Sequence, residues 1–392
     1  MQVDTTGRIP IYMWLDDLEE KALEQAKNLS NLPFAFKHVA LMPDAHMGYG
    51  MPIGGVLATN DVVIPNAVGV DIGCGMCAVR TDLIDVSRDK LTTILGKVRG
   101  SVPVGFNHHS APQSEDLMPN RAPLNEGASI NQRHVVDREY QRARTQIGTL
   151  GGGNHFLEVQ RGDGNIWVMI HSGSRNLGKQ VADHYNKLAV ELNQRWFSSV
   201  PKEHQLAFLP LDTDEAQAYL REMQYCVDFA LANRRVMMDR VLDAIRDVFP
   251  DLQHDDIINI AHNYAAQEHH FGENVWVHRK GATRAREGEL GIIPGSQGTK
   301  SYIVRGKGNR DSFQSCSHGA GRKMGRKAAQ RTLDLKEQIR MLDDKGIVHS
   351  IRTKKDLDEA PGAYKNIRDV MKNQSDLVET VVKLSPLAVV KG

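Results

Sequence analysis

Five short segments of this chain share one design. Each runs from apolar, strand-like residues into a metal-ligand side chain and then into glycine, asparagine or serine. They are Asp71 and Cys74 in GVDIGCG, His155 in GGGNHF, His171 in VMIHSGSR, His262 in INIAHNY and His318 in SCSHGAGR. Strand ends suit ligands, because the strand fixes the Cα while the side chain faces a cleft. Thiolate and imidazole favour softer transition ions, and carboxylate favours harder ones. One cysteine, one aspartate and several histidines therefore read as a site for manganese, iron or zinc. A lone histidine after a strand is commonly structural. The repetition of one local setting is what points to a metal, and spacing alone does not say whether the segments converge.

Cys74 and Cys77 also form a C-x-x-C pair, CGMC. No second pair follows, which argues against a zinc ribbon. A thioredoxin-like pair lacks its usual βαβ setting here. Cys226 lies inside a helical pattern and reads as core.

A second theme is anion binding. PGSQGTKS (294–301) and HGAGRKMGRK (318–327) combine glycine, hydroxyl and basic side chains. Neither matches the P-loop pattern, yet backbone N–H groups in such turns cradle phosphate oxygens. SCSHGAGRKMGRKAAQ (315–330) reads as a turn feeding a helix, with a start just after Gly321 as one placement of it. Its N-terminus would add partial positive charge beside His318, and Arg322 and Arg326 would form a basic stripe one turn apart. The alternative is an ordinary solvated helix face. A neutral histidine is itself a nucleophile toward phosphorus, provided that metal and basic groups offset the charge of the phosphates.

The elements that must position these residues are legible in outline. DLEEKALEQAKNL (17–29) is amphipathic with an acidic first turn, and predicts a helix. The segments around 36–59, 61–81, 165–172, 257–262, 274–284 and 289–306 read as strands closed by glycine turns. Residues 82–147 read as a helical, polar excursion with a mobile loop near 107–127, and 177–247 as mostly helical. The irregular order of strands and long helices predicts an α+β fold over one large domain, 1–392. GTLGGGNHFLEV (148–159) returns from three glycines to apolar residues through Asn154, His155 and Glu158, as if something approaches the backbone closely there.

The chain has 392 residues, 41% of them hydrophobic and 25% charged, with a net charge of +1. A sizeable core is available without disulfides, and any nucleic-acid surface must be a local patch. Four cysteines are too few for a disulfide framework. No signal peptide is expected, nor any run of the ~20 apolar residues that a membrane span needs. A reducing cytoplasm is the expected compartment.

Nine stretches make a more specific pattern: FKHVALMPDAHMGYG, VGVDIGCGM, GTLGGGNHFLE, IHSGSR, HNYAAQEHHFGE, RKGATRAREGELGIIPGSQGTKSYIVRG, SCSHGAGR, AYKNI and QSDLVE with the terminal VVKG. In this order, from near Trp14 to Gly392, they resemble the RtcB family of GTP-dependent RNA-splicing ligases. The resemblance implies that RNA ends bearing a 2′,3′-cyclic phosphate or 3′-phosphate are joined to 5′-hydroxyl ends, with GTP and manganese. It implies two Mn²⁺ ions held by Asp71, Cys74, His155, His171 and His262, with the Cys74 thiolate bridging them. It implies His318 as the nucleophile that accepts GMP. The guanylate pocket would draw on Asn154, His155, Phe156, Leu157, Glu158, His262, Asn263, Pro294, Gly295, Ser296, Gln297, Ser301, His318, Gly319, Ala320, Gly321, Tyr364 and Lys391, with Glu158 accepting from the guanine edge. Arg175, Lys280, Arg322 and Arg326 would hold RNA phosphates. Asp44 and His46 would place or deprotonate the incoming hydroxyl. The family often has methionine where Gln297 stands and glycine where Asn176 stands. Two other readings remain open: a metal-dependent cyclic phosphoesterase in which His318 only binds phosphate, and a non-catalytic RNA-binding protein on a ligase scaffold. The RNA partner, any activating protein and the oligomeric state are not specified by the sequence, and no membrane partner is implied.

Overall fold

Most of the strand-like segments join two sheets. The computed structural model describes residues 1–125 and 135–392. One sheet has six strands, in the order Gln2–Asp4, Ile11–Met13, Ala35–His46, Ile53–Thr59, Glu273–Lys280, Asn263–His270. The other has seven, in the order Ile258–Ala261, Gly75–Arg80, Asn165–Ser172, Phe156–Gly162, Val378–Lys391, Ser301–Gly306, Leu290–Ile293. Neighbours are antiparallel except Ile11–Met13, which runs parallel to Ala35–His46. With the helices around them, the sheets make an α+β fold.

Local chemistry explains the central hairpin. Phe156–Gly162 and Asn165–Ser172 are joined by Asp163 and Gly164, both at positive φ (52° and 74°). That is the turn geometry that matches the twist of paired strands, and an Asp-Gly pair is its usual sequence. Along Phe156–Gly162, period-two alternation sends Leu157 and Val159 into a core with Val79, Val168 and Ile170. It sends Phe156 and Glu158 to the opposite face.

The chain passes from one sheet to the other at His262, between Ile258–Ala261 and Asn263–His270. A 33-residue helix, Asp214–Arg246, backs this junction. Thr213 caps it by accepting from Ala216 N, and Asp214 and Glu215 lie in its first turn, where carboxylates favour the helix dipole. Its first half packs with Val68, Leu177, Val181 and Tyr185. Its second half packs with the seven-stranded sheet. At the changeover, Asn233 and Arg234 are fully buried and reach toward the strand ends.

Two helical expectations gain their bounds, and a third needs correction. The 82–147 excursion carries the helices Arg88–Ser101 and Val135–Arg144, with two short 3₁₀ turns in the loop between them; residues 126–134 lie outside the described part. The helical stretch near 177–247 is two helices, Arg175–Arg195 and Asp214–Arg246, separated by a segment containing the short strand Leu209–Pro210. No helix starts after Gly321: the next helix is Arg326–Thr332, entered through Gly325. Arg322 instead bridges to Tyr364. The helix-end charge expected beside His318 is therefore absent, and so is the basic stripe.

A buried ion pair braces the strand that presents His318. Arg279, fully buried, donates to both oxygens of Glu268 (2.6 and 3.1 Å). It also donates to Ser315 Oγ (2.9 Å) and Phe313 O (2.9 Å), at the start of the strand Ser315–Ser317. Removing one partner strands a buried charge, at a cost of about 3–5 kcal/mol. Glu268→Ala is therefore expected to lower the denaturant midpoint by that equivalent. Unfolding curves that overlay those of the unaltered protein would show the pair to be unimportant.

Candidate functional site

The five strand-end segments converge. Cys74 Sγ lies 3.3 Å from His171 Nε2 and 3.5 Å from His155 Nε2. His171 Nε2 is 3.4 Å from His262 Nε2, and His155 Nε2 is 3.0 Å from Asp71 Oδ2. Cys74 belongs to two ligand groups at once: Cys74, His171 and His262, and Asp71, Cys74 and His155. Within each, the donor atoms lie within 4.8 Å of one another.

The first group fits a transition ion directly. His171 Nδ1 is 3.0 Å from Asn154 O. That contact places the ring proton on Nδ1 and leaves the Nε2 lone pair facing the cluster, the usual arrangement behind a ligating histidine. In the second group Arg175 Nη1 donates to His155 Nδ1 (3.1 Å). A neutral imidazole has one lone pair, so Arg175 on Nδ1 and an ion on Nε2 exclude each other. This half fits once Arg175 releases the ring.

The electrostatics follow from burial. It pushes the Cys74 thiol well up, with Asp71 adding to the effect, and pushes His171 and His262 well down. Burial also opposes charge on Asp71, but the contact with His155 outweighs it and holds the carboxyl at about 2. A cation reverses this for the thiol, since it favours thiolate.

The supports are backbone struts. Arg234 Nη1 donates to Gly73 O (2.9 Å) and Ser172 O (2.8 Å). Asn233 accepts from Gly148 N (2.7 Å) and donates to Gly173 O (3.1 Å). Asn263 donates to Asp71 O (3.0 Å) and accepts from Gly281 N (2.7 Å). Gly151, at φ 85°, passes so close to Arg175 that a Cβ would lie 1.9 Å from its guanidinium. Arg175 itself sits at φ 58°, a strained conformation that aims its side chain at His155.

From this cluster opens a cleft of about 630 Å³, within the usual range for small-molecule sites. It is lined by Asn154, Phe156, Glu158, Asn263, Lys280, the turns Pro294–Gln297 and His318–Gly321, Arg322, Arg326, Tyr364 and Lys391. His318 follows the strand Ser315–Ser317, and its ring centroid is 4.8 Å from that of His262. Asp44, fully buried, accepts from His318 N (3.1 Å) and Gly319 N (3.2 Å), and the same oxygen is 2.7 Å from His318 Nδ1. Burial alone would raise the Asp44 carboxyl, but His318 holds it below its usual value. Asp44 therefore anchors the backbone at His318, faces the ring at Nδ1, and is buried away from an incoming hydroxyl.

The far end of the cleft is a second network. Lys391 and Glu158 share one face of neighbouring strands, as a diagonal pair across the register Lys391–Phe156 and Val389–Glu158. Burial pushes Glu158 up to about 8 and Lys391 down. Gln160 donates to Glu158 (2.5 Å) and to Ser301 Oγ (3.1 Å), which accepts from Gly295 N (3.1 Å). Ser301 thus stands behind the cleft wall, and the Leu157 side chain is in the core. Glu359, buried, collects Arg322 Nη1 (2.8 Å), Arg326 Nε (2.7 Å) and the Tyr364 hydroxyl, and its carbonyl accepts from Gln297 (2.8 Å).

The RtcB family model, described as tRNA-splicing ligase RtcB, matches residues 25–392. The chain belongs to the RtcB family. It is 38% identical to the RNA-splicing ligase RtcB of Escherichia coli K12, over 99% of this chain and 98% of that protein. It is 33% identical to the tRNA-splicing ligase RtcB of Thermococcus kodakarensis, over 99% and 96%. It is 34% identical to the RNA-splicing ligase RtcB homolog 2 of Entamoeba dispar, over 94% and 83%.

In this RtcB-family chain the structure adds Glu359, Asn233 and Arg234, which motif reading passed over, and gives Lys280 and Cys77 their surroundings. Glu359 sits in a run, DLDEAP, with nothing to mark it. Asn233 and Arg234 carry the one available signal: adjacent polar residues inside an otherwise apolar helix pattern. Lys280 donates to Tyr49 O (2.5 Å) and Asn66 O (3.0 Å), and burial pushes its amine down to about 7. Cys77 faces the opposite side of its strand from Cys74 and is pushed up to about 12 by burial.

Two outcomes follow. Arg175→Met removes a nearby positive charge and frees His155 Nδ1, so calorimetric titration with a divalent transition ion such as Mn²⁺ should show tighter binding than in the unaltered protein. Unchanged or weaker binding would refute the competition. For Glu158, the native carboxyl keeps its proton up to about pH 8, while the unfolded one loses it near the ordinary carboxylate value. The native state therefore binds more protons between these pH values, and stability falls as pH rises through that window. Glu158→Gln escapes this loss, so its melting temperature should rise relative to the unaltered protein from pH 5 to pH 9. Parallel melting profiles would show that Glu158 does not titrate in this window.

Proposed function

We propose that this chain is an RNA ligase that joins a 2′,3′-cyclic phosphate or 3′-phosphate end to a 5′-hydroxyl end, using GTP and manganese through a histidine–GMP intermediate. The observation that carries this reading is His318: an imidazole in the cleft, its Nδ1 2.7 Å from a buried carboxylate and its ring beside the donor cluster.

The chain's own groups support each step. With Asp44 against Nδ1, the ring proton stays there and Nε2 presents its lone pair. Nε2 attacks the α-phosphorus of GTP; the P–N bond forms and pyrophosphate leaves. Two manganese ions, one on Cys74, His171 and His262 and one on Asp71, Cys74 and His155, would offset the charge on the phosphates. Glu158 accepts from the N1–H and amino group of guanine, which favours its ionised form. Lys391 supplies the neighbouring positive charge, and Tyr364 borders the base. The turns Pro294–Gln297 and His318–Gly321 border the part of the cleft that takes the phosphates. A cyclic RNA end is first hydrolysed to the 3′-phosphate. Its oxygen attacks the GMP phosphorus and releases His318. The 5′-hydroxyl then attacks the activated RNA phosphorus, and GMP leaves. Arg175, Arg322 and Arg326 are the guanidinium groups for the RNA phosphates, while Lys280 braces the mouth. A reducing, cytoplasmic setting belongs to this reading, since the donor set needs Cys74 as a free thiol.

The test is incubation with Mn²⁺ and α-labelled GTP. Label that survives alkali but not acid, and disappears in His318→Ala, is expected. Asp44→Asn should slow labelling by a factor on the order of 10² to 10⁴, as loss of a tautomer-fixing carboxylate does elsewhere. A protein that opens cyclic phosphate ends yet never takes the label would instead be the phosphoesterase.

A further inference from the structure

The mouth of the cleft carries apolar side chains that the chemistry above does not use. Met47, Tyr49 and Val70 are exposed by 47%, 67% and 47%, and all three line the cleft. Val70 immediately precedes Asp71 of the donor cluster. Large apolar groups left in water next to a polar, buried site call for an occupant.

These side chains stand on a rigid frame. Gln25 is bonded twice to Gly48: its Oε1 accepts from Gly48 N (3.1 Å) and its Nε2 donates to Gly48 O (2.7 Å). Glu19 accepts from Met47 N. Tyr49 O accepts from Met51 N (2.7 Å) and from Lys280 Nζ. Lys280 also reaches Asn66 O, in the one-turn helix Pro65–Val68 that precedes Val70. One buried amine thus ties the Met47–Tyr49 segment to that helix. An uncovered aromatic ring on a braced backbone loses less entropy on stacking than one on a free loop.

We propose that Tyr49, Met47 and Val70 form a stacking seat for a nucleobase of the RNA strand whose end reaches the donor cluster. The proposal rests on the RNA-ligase reading. Continuity with the cleft favours this occupant, as does charge, because exposed Lys323 lines the same cleft and suits a polyanion. A protein partner is disfavoured by size. Specific protein interfaces bury about 1,200–2,000 Å², whereas three side chains at a cleft mouth match one base. Stacking on an aromatic ring is tolerant of base identity, because every base has a π-face. The seat therefore gives affinity and register without sequence preference.

The experiment titrates a fluorescent single-stranded oligoribonucleotide with a 5′-hydroxyl end against the full chain carrying His318→Ala and Mn²⁺, so that no turnover occurs. A matched set of oligonucleotides carries one abasic site at each position near the end. Tyr49→Ala in this background should weaken binding roughly tenfold or more. Tyr49→Phe should stay within about twofold, because the ring and not the hydroxyl is used. One abasic oligonucleotide should bind the Tyr49-intact protein with the same loss, and Tyr49→Ala should be indifferent to that abasic site. Met47→Ala should give a smaller loss of the same kind, and serves if Tyr49→Ala fails to fold by melting temperature. Equal affinity for all proteins, or abasic losses that simply add to the Tyr49→Ala loss, would overturn the seat; so would a protein ligand that alone senses these substitutions. Histidine–GMP formation is measured in parallel on protein with His318 intact. Its absence there counts against the ligase reading, while the titration still decides whether a base is seated.

Discussion

Electron-pair donors do not sit nose to nose without something between them. Cys74, His155, His171, His262 and Asp71 bring a sulfur, three imidazole nitrogens and a carboxylate oxygen to contacts of 3.0–3.5 Å. Protons or a cation must separate them, and burial makes the choice costly either way. Left to protons, the thiol is pushed up and His171 and His262 down, so the cluster stays nearly neutral. A divalent ion supplies the missing charge in one step, and its binding free energy then becomes part of holding the loops together. The remaining architecture serves to keep these donors close despite their mutual repulsion. The two sheets meet at His262, and the long helix sends in Arg234, whose bonds to Gly73 O and Ser172 O tie two ligand loops through their carbonyls. It adds no further acceptor to a place already crowded with them.

The other end of the cleft obeys the opposite logic, since positive groups gather there. Arg322 and Arg326 converge on one carboxylate, Glu359, which also holds the Tyr364 hydroxyl. Two guanidiniums on a single acid leave net positive charge, yet each planar fork is held in direction. Preorganised in this way, they lose less entropy on meeting an anion than free arginines would. Glu158 and Lys391 face one another under heavy burial, which pushes each toward its neutral form. A ligand that brings donors to Glu158 and negative charge to Lys391 restores both charges at once. The cleft therefore holds groups whose charged forms an anionic ligand with hydrogen-bond donors would stabilise.

How much of this the sequence revealed divides along physical lines. The ligand types and their place at strand ends were legible, because a strand that stops at a polar residue before glycine is a local pattern. The α+β class was legible from irregular element order. Convergence was not, since it depends on which strands pair: Cys74 and His262 are brought together by the antiparallel pairing of Gly75–Arg80 with Ile258–Ala261 and the bond from His262 N to Cys74 O that continues it. Leu157 could have been assigned to the core from alternation alone, as its neighbours Phe156 and Glu158 take the other face. The helix expected after Gly321 failed for a tertiary reason. Lys323 N bonds to Ala363 O, and Lys365 N to Gly321 O, so this stretch pairs with a distant segment and its helix waits until Arg326. Glu359 was invisible because a single acid in a charged run becomes a hub only when distant arginines fold onto it.

Arg175 joins the two halves. Its strained backbone and the close passage of Gly151 hold a guanidinium against His155 Nδ1. Burial discourages the charge on Arg175, and Asp71 and Cys74 favour it. The same carboxylate and thiol would attract an added cation, so ion and guanidinium compete for one pocket of negative potential. On the proposed ligase reading, a guanidinium displaced from His155 by an ion would be released where a phosphate approaching that ion would need a donor. The strain at Arg175 keeps the side chain nearby after release, because its direction is set by the backbone and not by the bond it gives up. Coupling of this kind needs no motion of the sheets. It needs one side chain with two alternative partners, and the glycines beside it provide the room.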